Sequence, residues 1–296
     1  MKSIEVNNLT KKYGDFTAVD NISFSASEGE FVGFLGVNGA GKSTTINIMS
    51  TLLAPTEGQV KICGYDLSQG KHIRKNIGVV YQENVLDDLL TVNENLICRG
   101  VLHGITRKQA LQKALELSKT FGIEEILKKK YKYLSGGQKR RCEIVAALMH
   151  TPQILFLDEP TTGLDPAARI EVWNTVRTMR EKTNMTVFLT THYMEEAAQA
   201  DEIIIIDKGK LIASGTPYEL KEKYAFDYLK IYTKENIDDK IKKYDCRKEG
   251  KAVVIKLKKT NDAMDILKNL EGYFSAFEVI QGTLDDVFIN ATGGLL

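Results

Sequence analysis

Two rhythms of apolar and polar residues alternate along this chain. Ile4–Leu9 and Ile22–Ala26 alternate apolar with polar side chains, the period of a half-buried strand. Phe31–Leu35 is apolar throughout and predicts a strand covered on both faces. The pattern then turns helical over Ser43–Leu53 and stops at Pro55, Glu57 and Gly58. A more polar stretch, Val92–Lys129, carries Leu102, Ala110, Leu111, Ala114, Leu115 and Leu117 at roughly helical spacings, so a helical insertion is expected over about 92–145. Gln138–His150 and Ala167–Thr183 read as helices, Ile154–Leu157 and Thr186–Thr190 as buried strands. Such alternation of β and α implies a mostly parallel sheet. Glu202–Asp207 and Lys210–Ser214, joined by Lys208 and Gly209, predict a hairpin that closes a first domain, 1–221.

From residue 222 to 296 the order is strand (Tyr228–Tyr232), helix (Ile237–Tyr244), strand (Ala252–Leu257), helix (Ala263–Leu270) and strand (Phe277–Val279). This predicts a small ferredoxin-like α+β domain. A length of 296 residues with 43% apolar and 27% charged residues agrees with two folded domains. With 40 basic and 39 acidic residues the net charge is +1, which gives no electrostatic case for nucleic acid, and none is expected as a partner. Locally, Glu219 to Thr260 holds 13 Lys plus Arg against 8 Asp plus Glu, a solvated lysine-rich face or a surface for an anionic partner. Cys63, Cys98, Cys142 and Cys246 lack C-x-x-C spacing, which argues against zinc and disulfides and for a reducing, cytoplasmic setting. The start lacks a signal-peptide core, and runs such as Ile203–Ile206 are too short to span a bilayer.

Candidate chemistry sits between the buried strand and its helix. Gly36-Val37-Asn38-Gly39-Ala40-Gly41-Lys42-Ser43 fits G-x-x-x-x-G-K-[ST], and Thr44 follows it. Backbone N–H groups of such a loop converge on phosphate oxygens while the helix presents its positive end to the same anion. Glycines let the backbone approach, Lys42 would neutralise the β and γ phosphates, and the Ser43 hydroxyl would ligate Mg²⁺. The strand Ile154-Leu-Phe-Leu ends in Asp158 and Glu159, which places an acid where open α/β sheets bind ligands. Asp158 can hold Mg²⁺ through water, and Glu159 can face an attacking water.

Leu134-Ser135-Gly136-Gly137-Gln138 stands 20 residues before Asp158. Together with the glycine-rich loop and the acidic strand, it makes residues 1 to 220 resemble the ATP-binding cassette of ABC transporters. A Ser-Gly-Gly turn opening a helix is a second anion-binding N-terminus, with the Ser135 hydroxyl and Gly137 N–H as donors. The resemblance implies the α/β fold of an ABC-type P-loop NTPase: a mostly parallel core sheet, an antiparallel β subdomain and a helical subdomain. It also implies ATP and Mg²⁺ as ligands, and a head-to-tail dimer in which the LSGGQ turn of one copy closes over the γ-phosphate held by the other.

Residue by residue, Gln82 matches the glutamine that senses Mg²⁺ and the γ-phosphate. His192 matches the switch histidine, Asp165 the aspartate that links the two sites of a dimer, and Tyr13 the aromatic that stacks on adenine. Ser43, Gln82 and Asp158 are then the expected metal ligands, and Glu159, Lys42 and His192 the catalytic set. Departures are Val37 in place of a frequent proline, and Lys139-Arg140-Arg141-Cys142-Glu143 in place of apolar and small residues. Near the end, Thr283-Leu-Asp-Asp-Val-Phe-Ile resembles a segment of drug-resistance-type exporter ATPases, which pair with ABC-2 type permeases. By resemblance, Gln82 to Asn95, including Asn84–Leu90, would contact such a permease, which places the chain on the inner face of the cell membrane. A soluble, non-transport ABC ATPase acting on ribosomes or nucleic acid is the alternative; the single cassette and short helical stretch disfavour it.

Overall fold

A computed structural model describes residues 1–233, 237–250, 252–257 and 259–293. Two compact units divide at Ser214/Gly215.

The first unit begins with β1 (Lys2–Tyr13) and β2 (Phe16–Ser27), which pair antiparallel around Gly14. Both are longer than their alternating cores because the hairpin recruits polar flanks into the ladder. β3 (Phe31–Leu35) is buried at every position and leads into α1 (Lys42–Met49). β4 (Glu57–Ile62) pairs with β1 and, through β5 (Tyr65–Asp66), completes a four-stranded antiparallel sheet. Sequence reading stopped at the turn signals Glu57 and Gly58; only Val60 and Ile62 of β4 are buried, too little pattern for a strand.

After α2 (Gly70–Asn76) comes β6 (Ile77–Val80), a short edge strand. The helical insertion is α3 (Val92–Leu102), α4 (Arg107–Thr120) and α5 (Gly136–Ala147). Capping boxes at Thr91 and Thr106 set the starts of α3 and α4, so the expected continuous stretch is two helices broken at Gly104. β7 (Ile154–Asp158), α6 (Pro166–Lys182), β8 (Thr186–Thr191), α7 (Met194–Ala197), β9 (Glu202–Asp207) and β10 (Lys210–Gly215) complete the unit. The core sheet runs β10-β9-β3-β8-β7-β6, with β3, β6, β7, β8 and β9 in parallel ladders. Its apolar interior joins Phe34, Phe156 and Phe188 to Ile46 and Ile48 of α1, which seats α1 on the sheet. The carboxyl ends of β3, β7 and β8 thereby come side by side.

The second unit holds α8 (Pro217–Tyr224), β11 (Asp227–Thr233), α9 (Asp238–Ile241), β12 (Cys246–Glu249), β13 (Ala252–Leu257), α10 (Asp262–Asn269), β14 (Phe274–Ile280) and α11 (Leu284–Ala291). Its antiparallel sheet, β12-β13-β11-β14, has the split-βαβ strand order of ferredoxin-like folds. β12 went unread because Cys246-Arg-Lys-Glu carries no apolar alternation; it is an edge strand held by its ladder to β13. The Thr283-Leu-Asp-Asp-Val-Phe-Ile segment forms α11, with a capping box from Thr283 to Asp286 and Leu284, Val287 and Phe288 buried. Among the described residues no helix is long and apolar enough to cross a membrane.

Candidate functional site

The loop from Gly36 to Thr44 connects β3 to α1 as expected. A Cβ at Gly36 would stand 2.5 Å from the Ile206 carbonyl, and one at Gly41, where φ is +108°, would stand 2.6 Å from that of Ala18. Only glycine lets the loop pass this close to its neighbours. Gly41 caps α1 without any side-chain hydrogen bond, so the first-turn amides at Lys42, Ser43 and Thr44 have no intrahelical partner. Asn38 and Gly39 are exposed, while Ala40, Gly41 and Lys42 are buried.

Lys42 is turned back into the loop. Its Nζ donates to the Gly36 carbonyl (2.7 Å) and the Val37 carbonyl (3.1 Å) and pairs with Glu159 Oε1 at 3.0 Å. A buried ammonium is costly unless its donors are satisfied, and these three oxygens satisfy them. Ser43 Oγ donates to Asp158 Oδ1 at 3.2 Å, and Thr190 Oγ1 donates to the same oxygen at 2.6 Å. Asp158 therefore lies between the loop and the end of β8. Burial pushes its carboxyl above the usual range, although the Thr190 and Ser43 hydroxyls pull the other way.

Glu159 follows β7 with φ +44°, a left-handed conformation that is strained for a residue with a Cβ. Its N–H is held by the Thr190 carbonyl (3.0 Å) and approached by Thr190 Oγ1 (3.1 Å), which keeps the turn in place. Glu159 Oε2 accepts from Thr162 Oγ1 at 3.1 Å and lies 3.1 Å from His192 Nδ1. Burial works to raise the Glu159 pKa, but Lys42, Thr162 and His192 outweigh it and leave the carboxyl below its ordinary value. Backbone bonds to Thr190 hold the strained turn, while Lys42, Thr162 and His192 favour the ionised form of the carboxylate it carries.

Lys42, Ser43, Asp158, Glu159 and His192 thus form one cluster, in which Thr190 joins the Ser43–Asp158 pair to Glu159, itself bonded to Lys42 and His192. The remaining expected residues stand outside it. Tyr13 ends β1 and is half exposed, with Lys11 Nζ 5.1 Å from its ring centroid. The Gln82 side chain is exposed, and its carbonyl accepts from Arg140 at 2.7 Å. Ser135 caps α5, accepting from the Gln138 N–H (3.3 Å) while Gln138 Oε1 accepts from the Ser135 N–H (3.1 Å). Gly137 faces α6, where an added Cβ would come within 2.8 Å of the Ala168 Cβ, and Gly136 lies against Leu164. Asp165 caps α6 by accepting from the Ala168 N–H at 3.0 Å.

Sequence reasoning passed over Thr190 and Thr162, the direct partners of the two carboxylates. For Thr190 the signal was faint but present, since two threonines end the buried strand Thr186–Thr191; Thr162, in the turn after β7, offers none. It also passed over Glu196, which Thr191 (2.7 Å) and Thr161 both bond, closing the turn after His192 from beneath.

With this geometry in view, the chain can be compared with known proteins. The family described as ABC transporter matches residues 19–162, and the C-terminal domain family of ATP-binding protein DrrA1-3-like proteins matches residues 215–292. The daunorubicin/doxorubicin resistance ATP-binding protein DrrA of Streptomyces peucetius is 42% identical over 78% of this chain and 70% of its own length. The chain belongs to the ATP-binding proteins of ABC transporters. Another relative of this ABC family, the probable multidrug ABC transporter ATP-binding protein YbhF of Escherichia coli, is 45% identical over 76% of the chain. The match spans only 39% of that relative's length. Among solved ABC structures, a dimeric post-hydrolysis state of the cassette MJ0796 bound to ADP and Pi superposes with a TM-score of 0.66. It is 31% identical, over 72% of this chain and 98% of that one.

Proposed function

We propose that this chain binds ATP in the Gly36–Thr44 loop and hydrolyses it as one half of a head-to-tail dimer that drives an ABC-2 type export permease. The observation that carries this is the bonded cluster of Lys42, Ser43, Asp158, Glu159 and His192 at the carboxyl edge of the core sheet. Lys42, now shared between carbonyls and Glu159, has the reach to exchange a partner for a phosphate oxygen. The Ser43 hydroxyl and Asp158 carboxylate, 3.2 Å apart, are a hard oxygen pair suited to Mg²⁺, with Gln82 as a third donor from its mobile-length exposed side chain. Bound there, Mg²⁺ would offset charge on the transferred phosphoryl group. Glu159 orients and polarises the attacking water, and His192, bonded to it, fixes that geometry. Tyr13 offers a ring face to adenine. Ser135, Gly136, Gly137 and Gln138, with Asp165 beside them, close over the γ-phosphate of a second copy.

The transport reading draws on the named relatives, one a drug-resistance protein and one a probable multidrug transporter protein, and on the DrrA-like C-terminal match. The chain would then sit on the cytoplasmic face of the membrane through its permease, with contact at Asn84–Leu90. Asp88 is paired with Lys139 (3.2 Å) and Asp87 Oδ1 holds the Leu89 N–H (2.8 Å), so charge reversal there would disturb the loop itself. Exposed Leu89 is the cleaner probe, and Leu89→Glu is expected to abolish co-purification with the membrane protein while sparing ATP binding. Retained co-purification would remove this contact; recovery of ribosomes or DNA in place of a polytopic protein would overturn the transport reading.

The chemistry is tested by Glu159→Gln. Hydrolysis is expected to fall roughly 100-fold or more, with ATP binding retained and an ATP-dependent dimer accumulating in light scattering. Turnover at the parental rate would refute Glu159 as the base.

A further inference from the structure

We infer that Arg140 and Glu143 are positioning residues for Gln82, so that the helix opened by Ser135-Gly-Gly-Gln also carries the clamp on the Gln82 loop. This rests on the ATPase reading above. The loop between β6 and α3 has little regular structure of its own, yet its start and its middle are gripped from one face of α5. Arg140, 4% exposed, donates to the Tyr81 carbonyl (2.5 Å) and the Gln82 carbonyl (2.7 Å). Glu143, 3% exposed and three residues further on, accepts the Val85 N–H (2.8 Å) and the Leu86 N–H (3.0 Å) through Oε1. Tyr131 Oη donates to the same oxygen at 2.8 Å.

Burying a guanidinium and a carboxylate is costly, and ordinarily they would offset that cost by pairing with each other. Here the hydrogen bonds of Arg140 go to loop backbone, and Glu143 Oε1 divides its own between loop backbone and the Tyr131 hydroxyl. Helix packing does not call for this, because Cys142, Ile144 and Val145 already fill the apolar contacts of α5. The Tyr131 N–H to Leu90 carbonyl bond (2.9 Å) and the Lys139–Asp88 pair extend the same connection along the loop. Displacing the Ser135 end of α5 must therefore drag Gln82 with it. On the ATPase reading, a residue that approaches the γ-phosphate of its own site is bonded to the helix whose opening turn closes the partner's site.

The test is a double-mutant cycle on the full chain: Gln82→Ala, Glu143→Ala and both together, with kcat and KM for MgATP and the melting temperature of each. Glu143→Ala is expected to lower kcat about tenfold with KM changed less than about threefold, and Glu143→Gln, which keeps the acceptor oxygen, to recover most of it. In the Gln82→Ala background Glu143→Ala should add less than about twofold. Multiplying effects, or no recovery by Glu143→Gln, would overturn the proposal. Absence of turnover in the parental chain would count against the ATPase reading alone. Amide exchange still decides the clamp in that case: Val85 and Leu86 should exchange faster in Glu143→Ala than in the parental chain or in Glu143→Gln if the bonds hold the loop, and unchanged exchange in Glu143→Ala would sink it.

Discussion

Two glycine-rich turns in this chain open a helix, and they end in opposite electrostatic conditions. At α1 the cap is Gly41, in a left-handed conformation and without a side chain, so the first-turn amides stay available. At α5 the cap is Ser135, and its reciprocal bonds with Gln138 already satisfy two of the donors that a helix start exposes. The first turn is therefore a site in need of an anion; the second is a finished helix start that still presents a hydroxyl and a partial positive charge. This difference matches a division of labour in which one turn holds the nucleotide and the other closes on it. Affinity should depend on the first, and turnover on both.

The largest break in that contrast is expected at α1. Lys42→Ala should weaken ATP binding roughly 100-fold by calorimetry, since it removes a charge-assisted partner of the phosphates. Gly41→Ala should do similar damage with Lys42 intact, because its Cβ would meet the Ala18 carbonyl and force the loop to shift. ATP binding at parental affinity in both would mean that the amides at α1 are not the cradle.

A smaller effect belongs to the segment just past α5. His150 stacks on His103 with centroids 3.7 Å apart, and its Nε2 lies 2.9 Å from the Ile77 carbonyl. Burial, and then His103, lowers its pKa from 6.5 to about 4, against the opposing carbonyl bond. A base whose folded pKa is depressed adds stability that is present above its ordinary pKa and lost as pH falls through the folded value. Stability should therefore decline between pH 6.5 and about 4, by on the order of 2 kcal/mol after allowing for partial exposure. His150→Phe, which keeps a stacking ring, should flatten the profile in denaturant titrations across that window. An equally steep decline would place the titration elsewhere.

The smallest effect sharpens the contrast most. Ser135→Ala should cost about 1 kcal/mol in melting experiments through the lost cap. ATP affinity should stay at the parental value while turnover falls, since in the proposed dimer the hydroxyl serves the other copy's nucleotide. A drop in affinity equal to that of Lys42→Ala would erase the distinction between the turns.

Much of this was legible in order along the chain. A fully apolar run such as Phe31–Leu35 or Ile154–Leu157 can bury itself only between layers, so the central strands and the ligand-binding ends declared themselves. Gly36 to Thr44, Asp158 and Glu159 were readable as candidates because spacing along a strand–loop–helix sets where each side chain emerges, whereas His192 was picked out by resemblance to the ABC family. Short or polar elements were not: β4 and β12 carry little apolar pattern because most of their side chains are exposed, and β6 is only four residues long.

Sequence by itself determined the class of fold and the place of the glycine-rich loop, because both rest on local periodicity and on glycine's freedom from a Cβ. Tertiary structure alone decided how the charges are partnered. Lys42 and Glu159 lie more than a hundred residues apart along the chain, as do Ser43 and Asp158. That Arg140 and Glu143, apparent irregularities in the helix after Gln138, grip the Gln82 loop could be known only once packing had removed the water that would otherwise have satisfied them.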